Sequence, residues 1–305
     1  MTVAIMATAA YGGGMTEETA RPRRNSSGLV RDVEILELLG GAEADGAGGL
    51  GVMRIAQMTG RDKAVISRSL ATLSDAGLLD RDPATLNYRL GSRIFALAAR
   101  TLESTLVAES RPHLRRIARS TRETTHLCVL RGGNVLTVQS ELSPHEVRTT
   151  SWEGVITAAW RTPSGRVLIS DWDRASLAAW YDVHGQDRPV VGPIDPAMAA
   201  SGFTVLEDPP VEKSVVSSFD TLLAEIERIR SRGFATLDEE LERGVVGASA
   251  PVFDFSGRIV AAINVSAPKT RIGNNLGKLG AYVALAAREL SEHLGAPEGH
   301  VSLGA

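Results

Sequence analysis

The first third of the chain repeats apolar residues at helical spacing, and the repeats sort it into short helices. Val33, Leu36 and Leu39 share one side of a helix over residues 29–39, and Val52, Ile55, Ala56 and Met58 form the apolar side of a second. Ile66, Leu70 and Leu73 recur at i, i+4 and i+7 in a third. Between the last two lies the tight turn Thr59-Gly60-Arg61-Asp62. Its Asp62 is placed to cap the third helix, and Gly77 follows that helix as a left-handed stop. Leu78 to Arg81 and Leu86 to Leu90, around the turn formers Asp82 and Pro83, read as a two-stranded hairpin. The order predicts a winged helix-turn-helix, with the Gly- and Ala-rich stretch Gly40 to Gly49 as a loop between its first two helices.

If Ile66, Leu70 and Leu73 face inward, the remainder of the third helix faces out, and that side is basic and hydroxylic. A helix entering the major groove reads bases with its N-terminal residues while neighbouring cations fix register on phosphates. Arg61, Lys63, Ala64, Val65, Ser67 and Arg68 are therefore the candidate DNA-binding residues, Ala64 and Val65 being suited to a thymine methyl group. Arg81 and Arg89 of the wing are candidates for phosphate contact.

The second two thirds read as strands with helices packed on them, an α+β domain. A linker helix over 92–107, beginning at Ser92, carries Ile94, Leu97, Ala98 and Leu102, an apolar stripe that favours dimerisation. Pro112 is expected to open the next helix. Thr124 to Leu130 and Val135 to Ser140 form a hairpin across Arg131-Gly132-Gly133-Asn134. A helix from Asp220 to Ser231 precedes a second hairpin, Val245 to Phe253 and Arg258 to Ser266, and a closing helix spans Leu276 to Leu294. The expected division is 1–25 disordered tail, 26–91 winged helix-turn-helix, 92–107 linker, 108–295 sensor domain and 296–305 tail. Met15 is an alternative start, and Arg21, Arg23 and Arg24 read as part of a solvated tail. The proline-rich stretch 182–216 is either a flap, a subunit contact or a tolerated insertion.

Composition adds bounds. At 305 residues, 43% hydrophobic and 23% charged, the chain is long enough for two cores. Net charge is -3, yet residues 21–100 carry 12 Lys and Arg against 9 Asp and Glu, so positive charge is weighted toward the proposed DNA end. A single Cys128 excludes an intrachain disulfide and suits a reducing cytoplasm. No apolar run reaches the roughly 18 residues of a membrane helix.

Three stretches, Lys63 to Gly77 (KAVISRSLATLSDAG), Thr162 to Ser170 (TPSGRVLIS) and Gly233 to Pro268 (GFATLDEELERGVVGASAPVFDFSGRIVAAINVSAP), carry a resemblance to the IclR family of bacterial transcription regulators. The resemblance implies a winged helix-turn-helix, a linker helix that pairs with a second subunit, and an effector domain resembling the GAF fold. It implies an effector bound between the Thr162 loop and the later hairpin, lined by Thr149, Thr157, Pro163, Ser164, Leu237, Asp238, Val245, Gly247, Asn264 and Ser266. Pro163, Leu237 and Gly247 depart from the commoner pattern, where a glycine, an acid and a cysteine are frequent.

By chemistry, Thr162-Pro163-Ser164-Gly165 opens a helix whose N–H groups attract a carboxylate, though Pro163 removes one donor. A small organic acid or an aromatic molecule is the expected effector, with Trp152 and Trp160 either in its wall or in the core. Expected partners are an operator in double-stranded DNA and a second copy, with dimers possibly pairing. No cofactor, metal or membrane contact is expected. Asp238-Glu239-Glu240 reads as a solvated loop; His113, His126, His145 and His184 lack zinc spacing; Ser164-Gly165 lacks a nucleophile elbow. The competing reading is a small-molecule-binding protein or enzyme whose helix-turn-helix no longer binds DNA.

Overall fold

The computed structural model describes residues 27–149, 151–190 and 213–297. The expected N-terminal tail, residues 298–305 of the C-terminal one and most of the 182–216 stretch lie outside the described residues. The chain forms two compact units that divide between Arg100 and Thr101.

The first unit contains α1 (Ser27–Leu39), α2 (Ala42–Gly46), α3 (Val52–Thr59), α4 (Lys63–Asp75), β1 (Leu79–Arg81), β2 (Tyr88–Leu90) and α5 (Ser92–Ala98). Ile35, Leu39, Ile55, Ile66, Leu70 and Leu73 close one core with Leu79 and Tyr88 of the wing. Asp62 caps α4 as expected, its Oδ1 accepting from the Ala64 N–H at 2.7 Å, and Gly77 is left-handed at φ 71°. In α1 the buried face is set by Ile35 and Leu39, while Val33, expected inside, is 42% exposed. The Gly40 to Gly49 stretch is more than a loop. It carries α2, whose Ala44 is buried, and Leu50 then bridges Tyr88 of β2. Gly49 makes this approach possible, because a Cβ there would lie 2.5 Å from the Tyr88 carbonyl oxygen.

The second unit contains α6 (Leu102–Thr121), β3 (Thr124–Arg131), β4 (Asn134–Glu141), β5 (Ile156–Thr157), α7 (Pro163–Leu168) and α8 (Arg174–His184). It continues with α9 (Phe219–Arg232), β6 (Ala235–Asp238), β7 (Val245–Phe253), β8 (Ile259–Pro268), α10 (Lys269–Ile272) and α11 (Leu276–His293). The six strands form one antiparallel sheet in the order β5-β4-β3-β8-β7-β6. One face packs against α6 and α11 through Leu127, Ala250 and Ile263 on the strands and Leu114, Ile117, Val283 and Leu290 on the helices. The other face meets α7, α8 and α9 through Cys128, Ala262, Val167, Leu177 and Ile226.

The expected helix over 92–107 is two helices, α5 and α6, broken between Ala98 and Leu102. Pro112, expected to open a helix, lies inside α6. Leu106 and Val107 before it pack on the same core as Leu114 and Ile117 after it. That burial, on both sides, outweighs the one backbone hydrogen bond that proline forfeits.

Candidate functional site

In α4 the inward positions are taken by Ile66, Leu70 and Leu73, leaving Lys63, Ala64, Ser67 and Arg68 exposed and Val65 half-buried. Arg68 lies along its own helix, Nε donating to the Ala64 carbonyl at 3.3 Å. No acid pairs with Lys63 or Arg68 among the described residues, so their charge stays available to a polyanion. Arg61 differs from this group. Its guanidinium is half-buried and ion-paired with Glu34 of α1, and its N–H closes the α3–α4 turn on the Ala56 carbonyl. It braces the helices and does not belong to the open face. On the wing Arg81 and Arg89 are both exposed, with the Arg81 guanidinium 5.4 Å from the Tyr88 ring centroid.

In the second unit the register of the sheet assembles a second site. Leu237 stands opposite Gly247, and Gly247 opposite Ser266; one step along, Asn264 lies between His126 and Ser249. Side chains two apart on a strand share a face, so Val245, Gly247, Asn264 and Ser266 open to the same side. There they meet Thr157, Pro163 and Ser164 around a cavity of about 60 Å³, enough for several water molecules. Two expected members lie outside the lining. The Thr149 hydroxyl donates to the Ser266 carbonyl at 3.3 Å, and the Asp238 carboxylate engages Lys213 and Lys269 at 3.2 and 2.7 Å.

The cavity wall also holds residues that sequence reasoning missed: His126, Cys128, Val135, Thr137, Leu241 and Val246. A readable signal existed for one pair. His126 and Cys128 sit two apart in β3, as the expected Asn264 and Ser266 do in its neighbour, and such pairs mark a polar strip on a buried face. His126 is buried with Nδ1 2.8 Å from the Ser140 hydroxyl; burial pushes its pKa down to about 4, so the ring is neutral at pH 7. Burial likewise pushes the Cys128 thiol up, keeping it protonated. Trp152 lines the cavity, whereas Trp160 donates from Nε1 to the Asp187 carbonyl at 3.0 Å and packs in the core behind α7.

The helix terminus expected to hold a carboxylate is weaker than its sequence suggests. Pro163 has no N–H, and the Gly165 N–H is already taken by the Thr162 hydroxyl at 3.1 Å. The helix is six residues long, and Ser164 alone retains an N–H facing forward. Gly165 is required for another reason, since a Cβ there would lie 2.2 Å from Ala159.

Asp238-Glu239-Glu240 is not a solvated loop. Glu240 is buried and accepts from both terminal nitrogens of the buried Arg166, whose Nε donates to the Trp160 carbonyl at 2.9 Å. Glu239, left-handed at φ 63°, accepts from the Gly244 N–H at 3.0 Å and from Lys269 at 2.6 Å. Those bonds hold its carboxyl down to about 2. Together they clamp the turn between β6 and β7, placing Leu237 and Leu241 on the cavity. Among the described residues no group of three or more His, Cys, Asp and Glu could hold a metal ion, and no helix is long and apolar enough to cross a membrane.

Comparison with known proteins matches both units. The family profile described as the IclR helix-turn-helix domain matches residues 28–83, and the one described as bacterial transcriptional regulator IclR C-terminal matches residues 99–188 and 208–292. The glycerol operon regulatory protein of Streptomyces griseus is 30% identical over 250 residues, spanning 82% of this chain and 87% of its own. The transcriptional regulator KdgR of Escherichia coli is 26% identical over 250 residues, spanning 81% and 86%. Two crystal structures share the fold. Thermotoga maritima IclR superposes with a TM-score of 0.64 at 20% identity over 89% of this chain and 100% of that one. An IclR homolog of Microbacterium hydrocarbonoxydans, complexed with 4-hydroxybenzoate, gives 0.65 at 18% identity over 88% and 100%. A winged helix-turn-helix followed by a matched C-terminal domain places this chain in the IclR family of DNA-binding bacterial transcription regulators.

Proposed function

We propose that this regulator reads an operator with Lys63, Ala64, Val65, Ser67 and Arg68 of α4, steadies itself on phosphates with Arg81 and Arg89, and answers to a small molecule held beneath α7. The observation that carries the reading is the sidedness of α4: Ile66, Leu70 and Leu73 are buried to 6% exposure or less, while Lys63, Ser67 and Arg68 stay open, with no acid paired to either cation among the described residues. The cavity supports the second half, with Thr157, Ser164, Asn264 and Ser266 as the polar contacts and Trp152 as an apolar wall. The 4-hydroxybenzoate bound to the Microbacterium relative makes a small aromatic metabolite, and hence control of a catabolic operon, a reasonable class to test.

The working form is a homodimer. Leu29 and Val30 on α1 and Phe95 and Leu97 on α5 are 71%, 62%, 78% and 52% exposed, a large apolar area for one small unit to leave in water. A two-fold pair of recognition helices would then require two half-sites at a fixed spacing. Effector acts by favouring one of two spacings of those helices, which is a population shift. Anisotropy on labelled DNA upstream of its own gene tests the DNA half. Affinity should be sequence-selective and should fall by orders of magnitude between about 50 and 200 mM salt. Weak binding indifferent to sequence would reject the reading.

A further inference from the structure

We infer that the cavity takes a small uncharged molecule bearing hydroxyl groups, an alcohol, polyol or phenol, in preference to a carboxylate or phosphate anion. The inference rests on the cavity being the effector site. Asn264 Oδ1 is buried in its wall with no hydrogen-bond partner among the described residues. A buried acceptor of this kind is satisfied by a ligand donor, and a carboxylate has none to give. The remaining polar atoms of the wall, from Thr137, Thr157, Ser164, Ser266 and the His126 ring, are neutral donors or acceptors. A hydroxyl can both donate to Asn264 and accept from one of them.

Among the described residues no lysine or arginine lines the cavity. The cations beside the lining are already engaged: Lys213 and Lys269 by Asp238 and Glu239, Arg166 by Glu240, and Arg161, next to Thr162, by the Glu240 carbonyl and the Trp160 ring. Residues 191–212, outside the described part of this unit, contain no Lys, Arg or His. The neutral state of His126 fits the same picture, since a carboxylate entering beside it would be desolvated without a counter-charge. Helix α7 offers little help, because Pro163 and the Thr162 cap leave it one forward N–H.

Calorimetric titration of the full chain at pH 7.5 with shape-matched pairs tests this. Suitable pairs are 4-hydroxybenzyl alcohol with 4-hydroxybenzoate, benzyl alcohol with benzoate, and glycerol with glycerate. The alcohol of at least one pair should bind at least tenfold more tightly than its carboxylate. Asn264→Leu should weaken that alcohol at least tenfold, and the near-isosteric Thr157→Val provides a second variant should Asn264→Leu not fold. A carboxylate that binds as tightly as its alcohol, with affinity lowered by either variant, overturns the inference and leaves the cavity as the effector site. If no pair member binds, or binding ignores both variants, the inference falls together with the effector reading on which it rests.

Discussion

Arg166 and Glu240 are both buried and ion-paired with each other. Glu240→Leu strands a desolvated guanidinium and should cost roughly 3–5 kcal/mol, read from urea unfolding. The double variant Arg166→Met/Glu240→Leu should recover much of that loss, which a purely steric account of Glu240 would not give. His126 sets a different test. Its pKa is depressed to about 4 in the folded chain, against roughly 6.5 when exposed, so the unfolded chain binds more protons between those values. Stability attributable to this residue is intact above pH 6.5 and falls as pH drops toward 4, by on the order of 3 kcal/mol. His126→Asn should flatten that part of the pH–stability curve relative to wild type; parallel curves would show that the ring is not held neutral. Arg61 is the residue whose role sequence most misstated. Its position one residue ahead of the α4 cap says nothing about Glu34, an acid 27 residues away that claims it.

At the scale of elements, helices and strands with an unbroken apolar period are legible in the sequence. The face of α4, both long hairpins of the second unit and its closing helix follow directly from spacings of four and two. Leu70 is the centre of that pattern and is fully buried. Leu70→Ala should cost roughly 2–5 kcal/mol in thermal or urea unfolding and drop operator binding with it. Elements whose stability comes from elsewhere were not legible. The Gly/Ala stretch hides α2 because small residues give no periodic signal. Pro112 reads as a helix start, although α6 is held through it by contacts on both sides. The candidate cavity was legible by resemblance for eight wall residues. His126 and Cys128 could be read as a polar strip on β3, but that they and the β4 residues reach this cavity depends on strand register, which pairs His126 with Asn264 across 138 positions of sequence. The clamp on Glu240 was invisible for the same reason, its partner being 74 residues away.

For the whole molecule, the proposed account divides the work between the two compact units: one offers the basic face of α4 to DNA, the other a cavity whose described lining holds no lysine or arginine. Coupling them requires a second subunit in the proposed account, and α5 supplies the exposed apolar surface for it. Phe95→Ser should shift the chain toward monomer in sedimentation velocity and weaken operator binding, while leaving effector titration unchanged. A dimer of undiminished strength would remove α5 from the interface. The open face of α4 carries the proposed DNA reading, and one comparison reaches it directly. Wild type and the Ser67→Ala/Arg68→Ala variant should be titrated by anisotropy against a sequence enriched by wild type from a random DNA pool. The variant should bind about 10- to 100-fold more weakly, with a shallower salt dependence and unaltered thermal unfolding. Equal affinity and equal salt slope for the two proteins would contradict the account.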